Sequence, residues 1–283
     1  MRSLKKVSVL DSEIKVIVVD NGSAVPYQLP TAYQEMALLV RSGSNLGFTG
    51  GNNLGIHQAI EEFNSDFVVL LNNDATVSSK ALQYMLDEAL ANQTCGMVCP
   101  KIYFTAGHEY HKEAYKSEDL GKVLWYAGGS IDWQNLFAYH RGVDEVDHNH
   151  ITSTTDIDFA TGCCVMIKRE VLEKVGLLDK KYFLYYEDVE LSQKVKSFNY
   201  TISYCDKAVV WHDNAGSSDG AGSDTHQYYQ TRNRLLFFWE YGSWRTRVTV
   251  IKLLLRLLLS ANRMERRGAE HFVRKQFGKQ PIV

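Results

Sequence analysis

This 283-residue chain has no CxxC pair, and its five cysteines, Cys95, Cys99, Cys163, Cys164 and Cys205, are an odd number. No secretory signal opens it, so a reducing cytoplasm is the expected setting. Its longest apolar stretch, Val248–Leu259, is interrupted by Lys252 and Arg256 and falls well short of the ~20 residues of a bilayer span. The glycine-rich segment Gly47–Gly51 matches neither GxGxxG nor GxxxxGK[ST], which removes the common phosphate-loop fingerprints. With 45% hydrophobic and 23% charged residues the composition is that of a globular protein, so disorder, a collagen-like chain and a disulfide-stapled mini-domain are set aside.

Net charge is nearly absent too, at -2. That balance hides a split: residues 241–283 carry +8 and residues 1–240 carry −10. An acidic body with a basic tail points to an anionic surface as the tail's partner.

What is present alternates. Lys15–Asp20 (KVIVVD) and Asp66–Leu71 (DFVVLL) read as buried strands that end in Asn21-Gly22-Ser23 and Asn72-Asn73-Asp74, with a weaker strand signal at Met36–Arg41. Helical spacing follows over Leu54–Phe63 and Ser79–Asn92. Strands alternating with helices predict an α/β fold, in which ligands gather beyond the carboxyl ends of the strands. Tyr103–Thr155 reads only as loops and short strands. Regular pattern returns with an apolar run at Phe159–Lys168, a short helix at Lys168–Val175, a helix opened by Tyr186-Glu187-Asp188, and a strand at Thr201–Trp211 broken by Asp206-Lys207. Asp213–Asp224 is too polar and glycine-rich to pack.

Several of these residues could carry chemistry. Asp74 at a strand end suits a hard divalent cation or simply caps a turn, and Asp20 has the same two readings. Glu187-Asp188 fits a general base at a cleft mouth, or acids settled by a helix macrodipole. His212 follows a strand and faces the choice between a metal ligand and a structural histidine.

Together the motifs resemble the bacterial and archaeal family 2 glycosyltransferases, in the rhamnosyltransferase-like branch. VVDNGS (Val18–Ser23), NLGFTGGNNLGI (Asn45–Ile56), LLNNDATV (Leu70–Val77), the long run Phe159–Val195 and YYQTRNR (Tyr228–Arg234) occur in the family's order. The resemblance covers about Ser3 to Tyr241 and implies a GT-A fold with a mixed, mostly parallel sheet over residues 1–240, followed by a basic amphipathic helical tail over 241–283. It implies inverting sugar transfer from a nucleotide-diphospho-sugar donor to a saccharide or lipid-linked acceptor, in cell-surface polysaccharide or glycolipid synthesis. Carried onto this chain, Asp188 becomes the general base with Glu187 beside it. Asp74, with His212, holds Mg²⁺ or Mn²⁺. The donor is bound by Asp20, Asn21, Asn45, Gly47, Gly51, Asn72, Asn73, Arg232 and Arg234. Two other readings are a sugar nucleotidyltransferase and a catalytically weak GT-A domain acting as a scaffold.

The sequence departs from that pattern at its start, where the strand that should precede VVDNGS has no counterpart. Asn72 also stands where an acid is often found. In the tail, helical spacing puts Arg245, Lys252, Arg256 and Arg263 in one stripe about 40° wide. Two fates for this helix compete, packing on the domain with solvated cations, or lying on an anionic membrane through residues 245–267. Nucleic acid is not the expected partner, because aliphatic rather than aromatic residues back the stripe. The location this gives is cytoplasmic, peripheral at the inner face of the cell membrane.

Overall fold

The most heavily buried strand is β5 (Cys95–Phe104), in which nine of ten residues are inaccessible. A near-continuous apolar run such as Cys95–Cys99 suits a strand covered on both faces. The structure, a computed structural model, describes residues 1–213 and 222–282. Most of the polar loop expected at Asp213–Asp224 lies outside the described residues.

Around β5 the main sheet takes the order β3-β9-β5-β10-β4, with β3 at Phe67–Leu71, β9 at Cys164–Lys168, β10 at Thr201–His212 and β4 at Ala75–Val77; β6 (Leu124–Tyr126) pairs with β5. The β5–β10 pair is parallel, and β3–β9, β5–β9, β10–β4 and β5–β6 are antiparallel. β10 is not broken at Asp206-Lys207. The ladder skips there between Cys205 and Val209, a bulge that absorbs the two polar residues and keeps the strand continuous to His212.

β1 (Val16–Asp20) and β2 (Ala37–Arg41) form a separate parallel pair. Among the described residues β1 pairs only with β2, and β3 only with β9, so no strand lies between β1 and β3. Helix α1 (Gly47–Glu61) packs on both β1 and β3, with Ile56 and Ala59 among its buried residues. The facing edges of β1 and β3 line the same cleft. Unpaired on that side, β1 remains half-buried from Val16 to Val19.

The remaining helices follow the expected pattern: α2 at Ala81–Ala91, α3 at Arg169–Val175 and α4 at Glu187–Ser197. The segment that gave no clear pattern contains β6 and a hairpin of β7 (Gly129–Asp132) and β8 (Phe137–His140). Its strands span three or four residues, too few for a period to register.

The tail is helical but in two pieces. After α5 (Asp224–Tyr241) come α6 (Trp244–Leu258) and α7 (Arg263–Val273). Ser243 caps α6 by accepting the Thr246 amide, and Asn262 caps α7 by accepting from Met264 and Glu265. Arg263 therefore begins a new helix and does not extend the cationic stripe of α6, which corrects that part of the expectation. The tail packs on the body, because α6 and α7 both contact α5. Its last residues reach the site: the Lys279 Nζ donates to the Asn45 carbonyl at 2.9 Å.

Candidate active site

A cleft of about 2290 Å³ opens where the carboxyl ends of β1 and β3 meet the start of α4. Asp20, Asn21, Asn72, Asn73, Asp188 and His212 all line it, although they come from four separate stretches of chain.

Asp188 lies in the first turn of α4. One carboxylate oxygen accepts the Gly162 amide at 2.9 Å and the other accepts the Val189 amide at 2.8 Å. Burial raises its pKa, and those amide bonds only partly oppose the shift. Neighbouring Glu187 is pushed well above the usual carboxyl range, first by desolvation and then by the Asp188 charge. Its Oε2 is buried without a hydrogen-bond partner. Two adjacent carboxyls cannot both ionise cheaply, and the stronger upward push falls on Glu187. A single ionised carboxylate with raised basicity is the state a general base needs.

The loop before α4 is strained. Phe183, Tyr185 and Tyr186 all adopt left-handed φ, between 64° and 69°. For non-glycine residues such values cost about 1–3 kcal/mol each. Two residues of α5 hold the loop in place. The Asn233 amide nitrogen donates to the carbonyls of Tyr182, Leu184 and Tyr185 at 2.9, 2.8 and 2.8 Å. Arg232 donates to the carbonyls of Lys181 and Tyr182 at 3.0 Å each, and to that of Gly278 at 2.7 Å. Both side chains are fully buried. Arg232, expected beside donor phosphates, therefore spends its guanidinium on backbone carbonyls and does not face the cleft. Arg234 does not line the cleft either; it donates to the carbonyls of Asn135 and Leu136 at the tip of the β7–β8 hairpin.

Asn233 was not singled out by sequence, and it gives a prediction. Asn233→Ala leaves the Leu184 and Tyr185 carbonyls without this donor, so stability to urea should fall by about 1–3 kcal/mol. Because the loop leads directly into Glu187-Asp188, kcat should fall more than donor KM rises. Unchanged kcat in a folded variant would reduce Asn233 to a stability role.

At the opposite wall, His212 ends β10 and its Nε2 lies 3.1 Å from the Asp74 Oδ1. Both side chains are nearly buried. The His212 Nδ1 is also buried and has no hydrogen-bond partner. Trp125 packs edge-on between the rings of His212 and His140, with both centroid distances 4.5 Å. Desolvation pushes the His140 pKa down to about 4, so this ring is neutral near pH 7. Trp125 and His140 both line the cleft and had no readable signal beyond a local richness in aromatics and histidine.

Among the described residues no group of three or more His, Cys, Asp or Glu could hold a metal by itself. Asp74 and His212 make a two-residue set at a strand end. That fits Mg²⁺ or Mn²⁺, which take few protein ligands when phosphate oxygens and water complete the shell.

The donor-side residues are placed as follows. Asp20 is buried, and its two oxygens accept the amides of Ser23 and Tyr27 at 3.0 Å each. The bonds from Ser23, then that from Tyr27, hold its pKa below the usual value, with Arg41 adding a smaller effect. Asn21 clasps the start of α1 by donating to the Gly47 carbonyl at 2.8 Å and accepting the Leu46 amide at 3.0 Å. The Asn45 carboxamide accepts the Gly47 amide at 2.8 Å. Gly47 has φ +74°, and a Cβ there would come within 2.3 Å of the Phe183 carbonyl oxygen. Gly51 lies against Asn21, 3.0 Å from where its own Cβ would stand. The glycines thus let α1 approach both Asn21 and the strained loop. Asn72 donates its amide to the Cys163 carbonyl at 2.9 Å, while Asn73 is exposed in the cleft.

An α/β sheet with acids at its strand ends, a carboxylate at a helix start and one shared cleft defines the GT-A class of glycosyltransferases. More particularly, the chain belongs to the family described as Glycosyltransferase like family 2, which matches residues 4–235. It is 24% identical over 222 residues to the low-salt glycan biosynthesis hexosyltransferase Agl10 of Haloferax volcanii, covering 78% of this chain and 66% of that protein. It is also 24% identical over 243 residues to an N-acetylglucosaminyl-diphospho-decaprenol L-rhamnosyltransferase of Mycobacterium tuberculosis, covering 82% of this chain and 77% of that one. Both names accord with the rhamnosyltransferase-like branch.

Among solved structures, the mannosyltransferase PcManGT of Pyrobaculum calidifontis in complex with GDP-Man and Mn²⁺ superposes with a TM-score of 0.52 at 15% identity, over 97% of this chain and 69% of that one. GalNAc-T7 with UDP, GalNAc and Mn²⁺ superposes with a TM-score of 0.53 at 13% identity, over 80% of this chain and 43% of that one. At such identities these two support the fold.

Proposed function

We propose that this chain transfers a sugar, with inversion, from a nucleotide-diphosphate donor to a saccharide or lipid-linked acceptor in cell-surface polysaccharide or glycolipid synthesis. The observation that carries this reading is that Asp188 and His212 line one cleft, with Asp74 behind its lining and held by the His212 Nε2. Inverting transfer needs a base that removes the acceptor hydroxyl proton as the oxygen attacks the anomeric carbon. Asp188 supplies it, held by two backbone amides that fix its orientation. Transfer also needs the departing diphosphate stabilised. Asp74 and His212 would hold the divalent cation, whose charge serves that purpose when bound.

In this reading Asp20 and Asn21, at the end of β1, bind the nucleoside, and Asn72 and Asn73 bind the diphosphate; all four line the cleft. In this reading Arg232 and Asn233 act on the donor and acceptor only through the loop they hold. A lipid-linked acceptor would place the protein at the inner face of a membrane.

The test is a panel of nucleotide-diphospho-sugars with Mn²⁺ and with EDTA, read as nucleoside diphosphate released. Release from at least one donor, lost in EDTA, is expected. Inertness toward every donor would favour the scaffold reading. Formation of a nucleotide-sugar from nucleoside triphosphate and sugar phosphate would instead make it a nucleotidyltransferase.

A further inference from the structure

Helix α6 has two apolar faces, and the body covers only one. Val250 is fully buried, with Leu253, Leu254, Leu257 and Leu258 packed against the main core. About 150° around the helix, Trp244, Val248, Ile251, Leu255 and Leu259 form a second stripe, ~80° wide at 100° per residue. These five are exposed, Trp244 by 71% and Leu259 by 88%. An exposed apolar stripe of this length, on a helix whose other face is satisfied, marks a docking surface.

Charge selects the partner. Arg245, Lys252 and Arg256 are exposed along one border of the stripe, and Arg247 along the other. α6 contains no acidic residue. Arg245 also stacks over the Trp244 ring at 5.2 Å, keeping the aromatic and the cation at one level. An aliphatic strip edged by long cationic side chains, with tryptophan at its end, matches the interface of an anionic bilayer. There the aliphatic groups enter the acyl boundary and the cations reach up to the headgroups. No described helix is long and apolar enough to cross a membrane, so contact through α6 would be in the plane of the surface.

We infer that the outer face of α6 binds an anionic lipid surface through Trp244, Val248, Ile251, Leu255 and Leu259, with Arg245, Lys252 and Arg256 as its headgroup contacts. The location follows from the fold. Thr225, His226 and Gln230, in the first two turns of α5, line the cleft. α6 starts just beyond the other end of α5, and past its own end Asn262 donates to the Gln227 side chain, so α6 runs back along α5. Leu259 is thus the end of the exposed stripe nearest the cleft-lining residues of α5. This deepens the membrane location of the proposed function, yet binding is measured without donor or acceptor, so sugar transfer and lipid binding fail separately.

The experiment is co-sedimentation of the full chain with phosphatidylcholine vesicles, with and without phosphatidylglycerol, at low and high salt. Binding should require phosphatidylglycerol and decline with salt. Lys252→Glu and Arg256→Glu should each weaken it by about fivefold or more, the worth of a cation near an anionic surface. Ile251→Glu with Leu255→Glu should abolish it at an unchanged thermal midpoint, because both side chains are already exposed. Vesicle-induced blue shift of tryptophan emission, diminished in Trp244→Phe, reads the same contact without a destabilising change. No binding at low salt would overturn the inference, as would binding that survives Ile251→Glu/Leu255→Glu. So would self-association in solution that this double variant abolishes, which would make the face an interface between copies.

Discussion

Asp188→Asn should lower the turnover of sugar transfer by about 10²–10⁴-fold, the usual worth of general-base assistance, with donor affinity close to wild type. The expectation rests on location. Asp188 faces the cleft from the first turn of α4, and its two oxygens are fixed by the Gly162 and Val189 amides. An asparagine offers one acceptor and one donor group, so one of those amides loses its partner. Thermal unfolding should show that loss as about 1–3 kcal/mol, too little to explain the kinetic effect in a folded variant.

The pH profile gives an independent readout. Burial raises the Asp188 pKa, so the catalytically useful anion appears only above the ordinary aspartate range. Turnover should therefore rise with pH through that raised value and then level off. Stability runs the other way. Glu187 and Asp188 hold protons more tightly folded than unfolded, so their contribution is full below about pH 4 and is lost as pH rises through the raised values. Near-normal transfer by Asp188→Asn, or a pH profile unchanged by it, would remove Asp188 from the role of base.

Asp74→Asn should have the second large effect, a loss of roughly 10²–10³-fold, because a bound cation supplies several kcal/mol of stabilisation to the leaving diphosphate. The Asp74 carboxylate stands 3.1 Å from the His212 Nε2 at the end of β10. With so few protein ligands, metal affinity should depend on the diphosphate. Mn²⁺ should accordingly raise the thermal midpoint of the wild type only when a nucleoside diphosphate is present, and should not raise that of Asp74→Asn. Full activity in EDTA would separate Asp74 from metal binding altogether.

The parts of this protein that were legible in its sequence share one property: the signal is local. Asp66–Leu71 followed by Asn72-Asn73-Asp74 is a buried strand with polar residues at its end, and β3 lies there as Phe67–Leu71. The same reasoning found α2, α4 and the run to His212, along with the residues that gather in one cleft. Where the reading gave out, the deciding partners are remote. Arg232 resembles a phosphate-binding residue by type and motif, but the carbonyls that it and Asn233 hold belong to residues some 50 positions away. Trp125 and His140 sit on strands too short to show a period, and only the closing of β6 and β8 against β10 brings them to His212.

By itself, then, the sequence determined the α/β alternation, the strand-end acids, the paired carboxyls at the start of α4 and the opposed charges of body and tail. Each depends on residues within a few positions of one another, where backbone propensity and hydrophobic period act. Tertiary structure alone decided that two buried side chains of α5 restrain the loop before α4, and that one apolar face of α6 is covered while the other is bare. Those outcomes turn on which surfaces meet. A periodic pattern shows that a face is apolar, but only packing shows whether anything in the chain covers it.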